Sequence, residues 1–544
     1  MPKLTIDGKE IEVAPGTRII EAAKKNGSDV PYYCYHPGLS VAGNCRMCLV
    51  EVEKMPKLQI SCHMTCQDGM VVKTNTEKIL KTRQHILEFL LVNHPLDCPV
   101  CDQAGECWLQ DYYMKHGLYD SRVNEDKLKK KKAYSIGPTV MLDQDRCILC
   151  SRCVRFADEI SKTHELGIIN RGDHSQIEVF PGMELNNPYS GNVVDICPVG
   201  ALTDKDFRFK KRVWYLRSTD SICSGCSRGC NIQIQYSTER PHHANGERVI
   251  RLKPRYNELV NQWWMCDEGR YSYKFHDHNR IEAILRREPH KVTELDWETA
   301  ISEIAGKIQS AAGKIGVLVS PQLSNEDLWV IRRVFQENLK VKNLLLVSPN
   351  AEGFQDDFLI RSDKNPNSKG AEQLGFTYDA TALQSLLENC RQGKLEGLIV
   401  FGQDLFSVLE ANLVEKALKA LRWSVMISSN HNLLSESATY VLPAATYAEE
   451  EGTFTNFEGR VQKFERALYP LGASLPEWKI LVNLSKALGQ PVHYEEAGEI
   501  FKEMAGKVKA FEGFDFDAVS TGGSDVRTFA APTIPELEKY DNIL

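Results

Sequence analysis

No stretch of this sequence stays apolar for the roughly 18 residues that a membrane-crossing helix needs. Its strongest candidates, IGVLVS and GLIVFG, are strand-sized. The chain is therefore not expected to cross a membrane by itself. An excess of one charge is also missing: the formal net charge is −7 over 544 residues, with 26% charged and 42% hydrophobic side chains. That balance belongs to a soluble globular protein, and nucleic acid is not the expected partner. There is no G-x-G-x-x-G after a strand and no P-loop, so neither a dinucleotide nor a nucleoside triphosphate site is expected. The opening MPKLTIDGKEIEVAPG has neither the basic start nor the apolar core of a signal peptide, and a cytoplasmic setting is expected. Beyond Cys266 the only cysteine is Cys390.

The other cysteines are abundant and crowded. Of seventeen, sixteen lie between Cys34 and Cys266. In a chain read as cytoplasmic they point to metal or redox chemistry rather than disulfides. The length suits three or four domains. LTID and IEVA read as a hairpin, followed by a short helix with Thr17 as N-cap and Lys24, Lys25 and Gly27 at its end. From Lys78 to His94 the leucines Leu87, Leu90 and Leu91 recur at helical spacing, with His94 next on that face and Pro95 as the stop. A histidine there is either a packed core residue or a ligand. The basic run EDKLKKKKAY reads as a solvated linker. Further on, strand-like runs at Ile315–Val319, Leu344–Val347, Leu398–Phe401 and Val425–Ile427 alternate with helical segments. One of these is SNEDLWVIRRVFQEN, with Ser324 as N-cap, Asp327 in the first turn, and Leu328, Ile331 and Phe335 on one face. The rear is thus α/β with a mostly parallel sheet.

The front cysteines sort into four sets. Cys34, Cys45, Cys48 and Cys62 (C-x10-C-x2-C-x13-C) follow a β-rich start in the manner of a plant-type [2Fe-2S] ferredoxin, with a longer first gap. His94, Cys98, Cys101 and Cys107 close a second set, in which a neutral imidazole replaces one thiolate. Removing that negative charge should raise the reduction potential. Cys147, Cys150 and Cys153 with the distant Cys197-Pro198 match half of a bacterial two-cluster ferredoxin. Ala157, Asn187, Ser190 and Val193 stand where the other cluster's ligands would be. Cys223, Cys226, Cys230 and Cys266 (C-x2-C-x3-C-x35-C) form the fourth set. Zinc is an alternative occupant for the first and the last. Cys66 and Cys390 remain over and read as buried free thiols.

Several iron-sulfur centres in one chain imply one-electron transfer in series, with hydride chemistry on another polypeptide. The ordered motifs CYHPGLSVAGNCRMC, HPLDCPVCDQAGEC, CILCSRCVRF and DICPVGAL resemble the large, G-type iron-sulfur subunit of the peripheral arm of respiratory complex I, the NADH:quinone oxidoreductase. The resemblance implies electrons arriving from an FMN- and NADH-binding subunit, passing the Cys34 site, the Cys147 cube and the His94 cube in that order, and leaving toward a two-cluster ferredoxin-like subunit and other peripheral-arm subunits. It puts the Cys223 cube off that route. It also implies a peripheral position on the cytoplasmic side of a bacterial inner membrane, held there only through the complex.

The rear, with AEEEGTFTNFEGRVQ, is similar to the molybdopterin oxidoreductase family. Glu268 stands where molybdenum-reducing members carry a lysine, and Cys390 has no molybdenum-ligand context, so neither molybdenum nor pterin is expected. The expected organisation is an α+β front of ferredoxin-like modules followed by an α/β domain. Its parts are a [2Fe-2S] domain (1–78), a [4Fe-4S] module with one histidine and three cysteine ligands (79–118), a basic linker (119–136), a [4Fe-4S] ferredoxin-like domain (137–211), a molybdopterin-oxidoreductase-type [4Fe-4S] domain (213–271) and the α/β domain (272–544). The expected cofactors are one [2Fe-2S] and three [4Fe-4S] clusters. Rival readings are a molybdopterin-dependent, formate dehydrogenase-like catalytic chain, an iron-only hydrogenase and a structural zinc protein.

Overall fold

Alternating apolar and polar residues at the N-terminus build the expected hairpin, Lys3–Ile6 paired antiparallel with Lys9–Glu12. These strands belong to a five-stranded sheet that also contains Val71–Lys73, Leu49–Val52 and Gln59–Ile60. The computed structural model describes residues 1–239, 241–347, 353–519 and 524–525; the end of the expected 272–544 domain lies outside them. Its internal contacts gather into two units, which meet in sequence at Leu216 and Arg217.

In the first unit the helix Ile19–Lys25 buries Ile19, Ile20, Ala22 and Ala23 against the sheet. Its N-cap is Arg18, not Thr17. The Thr17 backbone is engaged elsewhere: its N–H donates to Ala14 and its carbonyl accepts from Cys66. The second helix is Glu77–Leu91, capped by the Thr76 hydroxyl, and it stops short of His94. The residues expected to form a solvated linker fasten that end. Lys127 Nζ donates to the carbonyls of Leu91 (2.8 Å) and Val92 (2.7 Å), and Leu128 N–H donates to Asn93 Oδ1 (3.0 Å). Lys130 reaches the Ser175 carbonyl, Lys132 pairs with Asp97, and Lys131 stacks 3.7 Å from the Tyr134 ring centre. The run is a docked strap, because a helix end leaves carbonyls that an ammonium group can satisfy. Two small sheets follow, Leu202–Asp204 with Val140–Leu142 and Tyr134–Ser135, and Leu166–Ile169 with Gln176–Val179.

The second unit begins with a three-stranded antiparallel sheet, Arg217–Ile222, Asn231–Tyr236 and Val249–Pro254. A seven-stranded sheet follows, in the order Lys291–Leu295, Ile284–Glu288, Tyr440–Pro443, Trp423–Ser428, Gly397–Phe401, Ile315–Val319, Asn343–Leu346. The last five strands of that order are parallel, as the apolar runs foretold. Every residue of Ile315–Val319 and Gly397–Phe401 is buried, since helices cover both faces. Alternate residues feed two cores: Val317, Val319 and Phe401 one, Leu318, Val400 and Met426 the other.

Ser324 caps the helix Asn325–Ile331 as expected, accepting from Asp327 N–H (3.0 Å), and the chain continues in π-helical turns over Arg332–Asn338. The carboxyl group of Glu326, fully buried beside it, takes the Thr453 N–H (2.8 Å). Burial outweighs that bond and lifts its pKa from 4.5 to about 8. A raised folded-state value means that the stabilisation is complete below about 4.5 and is lost as pH climbs through about 8. Between pH 6 and pH 9 this unit should lose about 2–3 kcal/mol from Glu326 alone. Thermal melts of Glu326→Gln should show a flatter profile over that interval, and identical profiles for the two proteins would mean that Glu326 is ionised throughout.

Candidate metal centres

Turns at the edge of the N-terminal sheet bring the first set together. Cys34, Cys48 and Cys62 are buried, Cys45 is half-buried, and the sulfurs of Cys34 and Cys45, Cys34 and Cys62, and Cys48 and Cys62 lie in hydrogen-bonding contact. Backbone N–H groups of Asn44 and Cys45 point at the Cys34 sulfur, that of Met47 points at the Cys45 sulfur, and the Ser61 hydroxyl faces Cys48. Donors ringed around sulfur favour its anionic, metal-binding form. Cys66 stands apart in the core of the sheet, its thiol pushed up to about 11 by burial.

In the second set Cys98 opens a short 3-10 turn, Cys101 closes it with its N–H on the Cys98 carbonyl, and Cys107 is the N-cap of the helix Trp108–His116. The three thiols are near enough to act on one another electrostatically. Gly200 lies over this set: a Cβ built there would sit 2.3 Å from Cys101 Sγ. His94 lies just past the helix Glu77–Leu91. Burial, then Arg146 and Lys127, push its pKa down to about 4. The ring is therefore neutral at pH 7, the state in which imidazole binds metal. Arg146 also acts on Cys101, so His94 and Cys101 lie under one guanidinium. No hydrogen bond to the His94 ring is found among the described residues.

The third set lines a single cavity. Cys147, Cys150, Cys153 and Cys197 face it with Leu142, Ile148, Ile177 and Val199. Leu149 (φ 54°) and Ser151 (φ 61°) adopt the left-handed conformation, which curls the loop so that the Leu149 N–H reaches Cys147 Sγ at 3.4 Å. The four positions where a second cluster's ligands would stand make ordinary interior contacts. Ala157 and Val193 are fully buried, Asn187 Nδ2 donates to Glu165 (2.6 Å), and Ser190 meets Thr139 (2.8 Å).

These three sets adjoin. Cys45, Cys107, Cys147, Cys150 and Cys197 all pack around one apolar cluster of Tyr33, Met47, Leu87, Leu109, Val199 and Ala201. Arg155 donates to the backbone carbonyls of both Cys34 and Cys150. Arg152 donates to those of Tyr35 and Ile196 and lies 4.5 Å from the Trp108 ring centre. The Trp108 N–H donates to the Pro198 carbonyl (3.0 Å). Neither arginine could be singled out from sequence, because nothing in CSRCVRF distinguishes them from surface charges. Gly200 was visible only as part of DICPVGAL.

In the second unit, the turn between Arg217–Ile222 and Asn231–Tyr236 carries Cys223, Cys226 and Cys230. The Cys223 N–H closes on the Cys230 carbonyl (2.9 Å). Cys266 caps the short helix Asp267–Arg270, accepting from Gly269 N–H (3.3 Å). All four thiols line one cavity with Met265, Glu268 and Leu359. Gly269 stands against it, where a Cβ would lie 2.8 Å from Cys223 Sγ. Glu268 pairs with Lys364 (2.7 Å). Cys390 is fully buried in the sheet core, its thiol pushed up to about 12 by burial.

Four convergent thiolate-rich sets, each packed against backbone N–H groups and three of them in continuous apolar contact, suit iron-sulfur clusters and the movement of single electrons. Ferredoxin-like iron-sulfur domains followed by a domain of molybdopterin-oxidoreductase type are the class that this fold and these sites define. Family models match in the same order: a 2Fe-2S iron-sulfur cluster binding domain at 2–77, the NADH-ubiquinone oxidoreductase-G iron-sulfur binding region at 83–122, and the ferredoxin-like domain of NADH-quinone oxidoreductase subunit 3 at 137–203. The molybdopterin oxidoreductase Fe4S4 domain matches at 216–278 and molybdopterin oxidoreductase at 363–487.

Curated homologues carry the name that the motifs suggested. The G subunit of NADH-quinone oxidoreductase from Rickettsia bellii is 43% identical over 338 residues, 62% of this chain and 48% of that protein. The mitochondrial NADH-ubiquinone oxidoreductase 78 kDa subunit of Neurospora crassa is 41% identical over 351 residues, 64% of this chain and 46% of its own length. The chain thus spans about half the length of the curated relatives it matches. Among solved structures, a chain of an NAD+-reducing [NiFe]-hydrogenase aligns with 91% of its length and 39% of this one at 30% identity, with a TM-score of 0.36. No described helix is long and apolar enough to cross a membrane.

Proposed function

We propose that this chain is the electron-transfer iron-sulfur subunit of an NADH:quinone oxidoreductase, taking single electrons from an FMN- and NADH-binding subunit and passing them toward a two-cluster ferredoxin-like subunit on the quinone side. Cys34, Cys45, Cys48 and Cys62 would hold a [2Fe-2S] cluster. His94 with Cys98, Cys101 and Cys107, then Cys147, Cys150, Cys153 and Cys197, and then Cys223, Cys226, Cys230 and Cys266 would hold [4Fe-4S] clusters. Bound clusters would supply reversible one-electron chemistry; molybdenum and pterin have no part in this reading. The module boundaries near 78, 118, 136, 211 and 271 are proposed with it, as is a peripheral station on the cytoplasmic side of a bacterial inner membrane.

The chain's own residues hold the ligand sets at fixed separations and keep water out from between them. The observation that carries the reading is the apolar cluster around Tyr33 and Met47, which touches cysteines of three sets at once. Arg155 ties the first set to the Cys147 set, and Trp108 with Gly200 ties that one to the His94 set. These contacts support short steps between the sets; the order of transfer is taken from the family resemblance.

Anaerobically purified protein should be brown and carry about 14 iron atoms per chain with matching acid-labile sulfide. Colourless, zinc-loaded protein would end the proposal, and stoichiometric molybdenum with pterin would favour the formate dehydrogenase-like alternative. His94→Cys should keep a cluster but lower its midpoint potential, because an anionic ligand replaces a neutral one. His94→Ala is expected to alter both iron content and the EPR spectrum; wild-type values for both would leave His94 with a packing role only.

A further inference from the structure

The buried carboxyl groups of the second unit fall into two kinds. Glu449 is matched, with Arg280 bonding to both of its oxygens (2.9 and 2.7 Å) and Arg248 to one (2.7 Å). Asp327, Glu450 and Glu477 are not matched by any base: among the described residues no lysine, arginine or histidine hydrogen-bonds or ion-pairs with them. An oxygen from each lies within 4.8 Å of the other two, in side chains that are 0, 7 and 5% exposed. Asp327 accepts from the Trp478 N–H (2.9 Å) and from Ser324, but Glu450 Oε2 is wholly buried and accepts no hydrogen bond at all.

Three carboxylates so placed repel one another and have lost their water, a combination that requires either protons or a cation. Asp327 and Glu477 each lie in the first turn of a helix, Asn325–Ile331 and Glu477–Ala487. Helix N-termini contribute about half a positive charge each. Arg280 acts on Glu477 from a distance, but Glu326 and Glu449 add to the negative field at Glu450, so the cluster stays negative and a divalent cation would offset it. The donors are all hard oxygens, the kind that Ca2+, Mg2+ and Mn2+ take. The three oxygens lie within 4.8 Å of one another, close enough for a single ion of this class to gather them into one shell.

We infer that Asp327, Glu450 and Glu477 form a structural site for a hard divalent cation, which fastens two helix N-termini to the turn that carries Glu450. Burial raises the pKa of each of the three, to about 6 for Asp327, and cation binding would expel the protons they otherwise hold.

The test uses the full chain with its iron intact, dialysed against EDTA, freed of chelator and titrated with CaCl2 at pH 7.5 by calorimetry and thermal melting. One Ca2+ should bind per chain and raise the melting temperature. Glu450→Gln and Glu477→Gln should weaken binding at least tenfold while leaving iron content unchanged. MnCl2 should give the same stoichiometry by the loss of its free-ion EPR signal. The inference is overturned if wild-type protein takes up none of Ca2+, Mn2+ or Mg2+ at millimolar concentration, or if Glu450→Gln binds as tightly as wild type. It is equally overturned if Glu450→Gln melts as high as the Ca2+-saturated wild type without any added cation, for the carboxyl groups would then be sharing protons. Should a variant fail to fold, the wild-type titration alone decides.

Discussion

Gly200→Ala should cost this protein the cluster proposed for the His94 set, lowering iron from the proposed total of about 14 to about 10 atoms per chain. The added methyl group would lie 2.3 Å from Cys101 Sγ and 3.1 Å from the Gln103 Cβ, well inside van der Waals contact. The backbone cannot yield, because Val199 and Ala201 on either side are locked in the apolar cluster shared by three ligand sets. The sulfur must move instead, and a ligand displaced by even part of an ångström no longer closes a four-ligand site. The Cys34 and Cys147 sets should keep their metal, so one set of EPR signals should vanish while the others persist. Wild-type iron in Gly200→Ala would show that Cys101 has room to spare and is not fixed as a ligand.

The second large effect is expected at Arg280. Its side chain is 1% exposed, Glu449 is 0% exposed, and the two share a two-pronged ion pair. Burial works to raise the Glu449 pKa, yet Arg280 holds it below the usual 4.5. Arg280→Met removes the partner but leaves the buried charge, a change that costs about 3–5 kcal/mol. Arg248 and the Thr446 N–H still reach Glu449 and should keep the loss toward the lower figure. The double variant Arg280→Met/Glu449→Gln should recover much of the loss, because no lone charge is then buried. A lowered folded-state value places this stabilisation above about pH 4.5, and it fades as pH falls through the folded pKa. Calorimetric melts of wild type, single and double variants from pH 4 to pH 8 would measure it. A single variant as stable as wild type would show that Arg248 suffices alone.

The parts most legible in the sequence were those written in short, local codes. Strands buried on both faces announce themselves as unbroken apolar runs, and Ile315–Val319 fell where the run did. Ser324 and Asp327 carried a cap signature that needs only four residues. Cysteine spacing pointed to the Cys147 and Cys223 sets, each of which lines one cavity, because a loop must place several sulfurs within a few ångströms of one point. What the sequence hid depends on distant partners. The helix expected to reach His94 ends at Leu91, where a lysine 36 positions later takes its terminal carbonyls. The same lysine-rich run looked solvated because its acceptors, at Leu91, Asp97 and Ser175, are scattered along the chain. The buried acids Asp327, Glu450 and Glu477 each look like ordinary helix-start or turn residues until the fold brings them together.

Arg155 touches backbone at Cys34, Ser40 and Cys150 with a single planar group. One guanidinium therefore acts as a spacer, so that breathing of one loop carries the other along with it. Tunnelling falls off steeply with gap width, and a population of molecules with scattered gaps would fire at scattered speeds. If the chain carries electrons as proposed, such a tie would narrow that scatter, and all copies of the protein would keep nearly the same time.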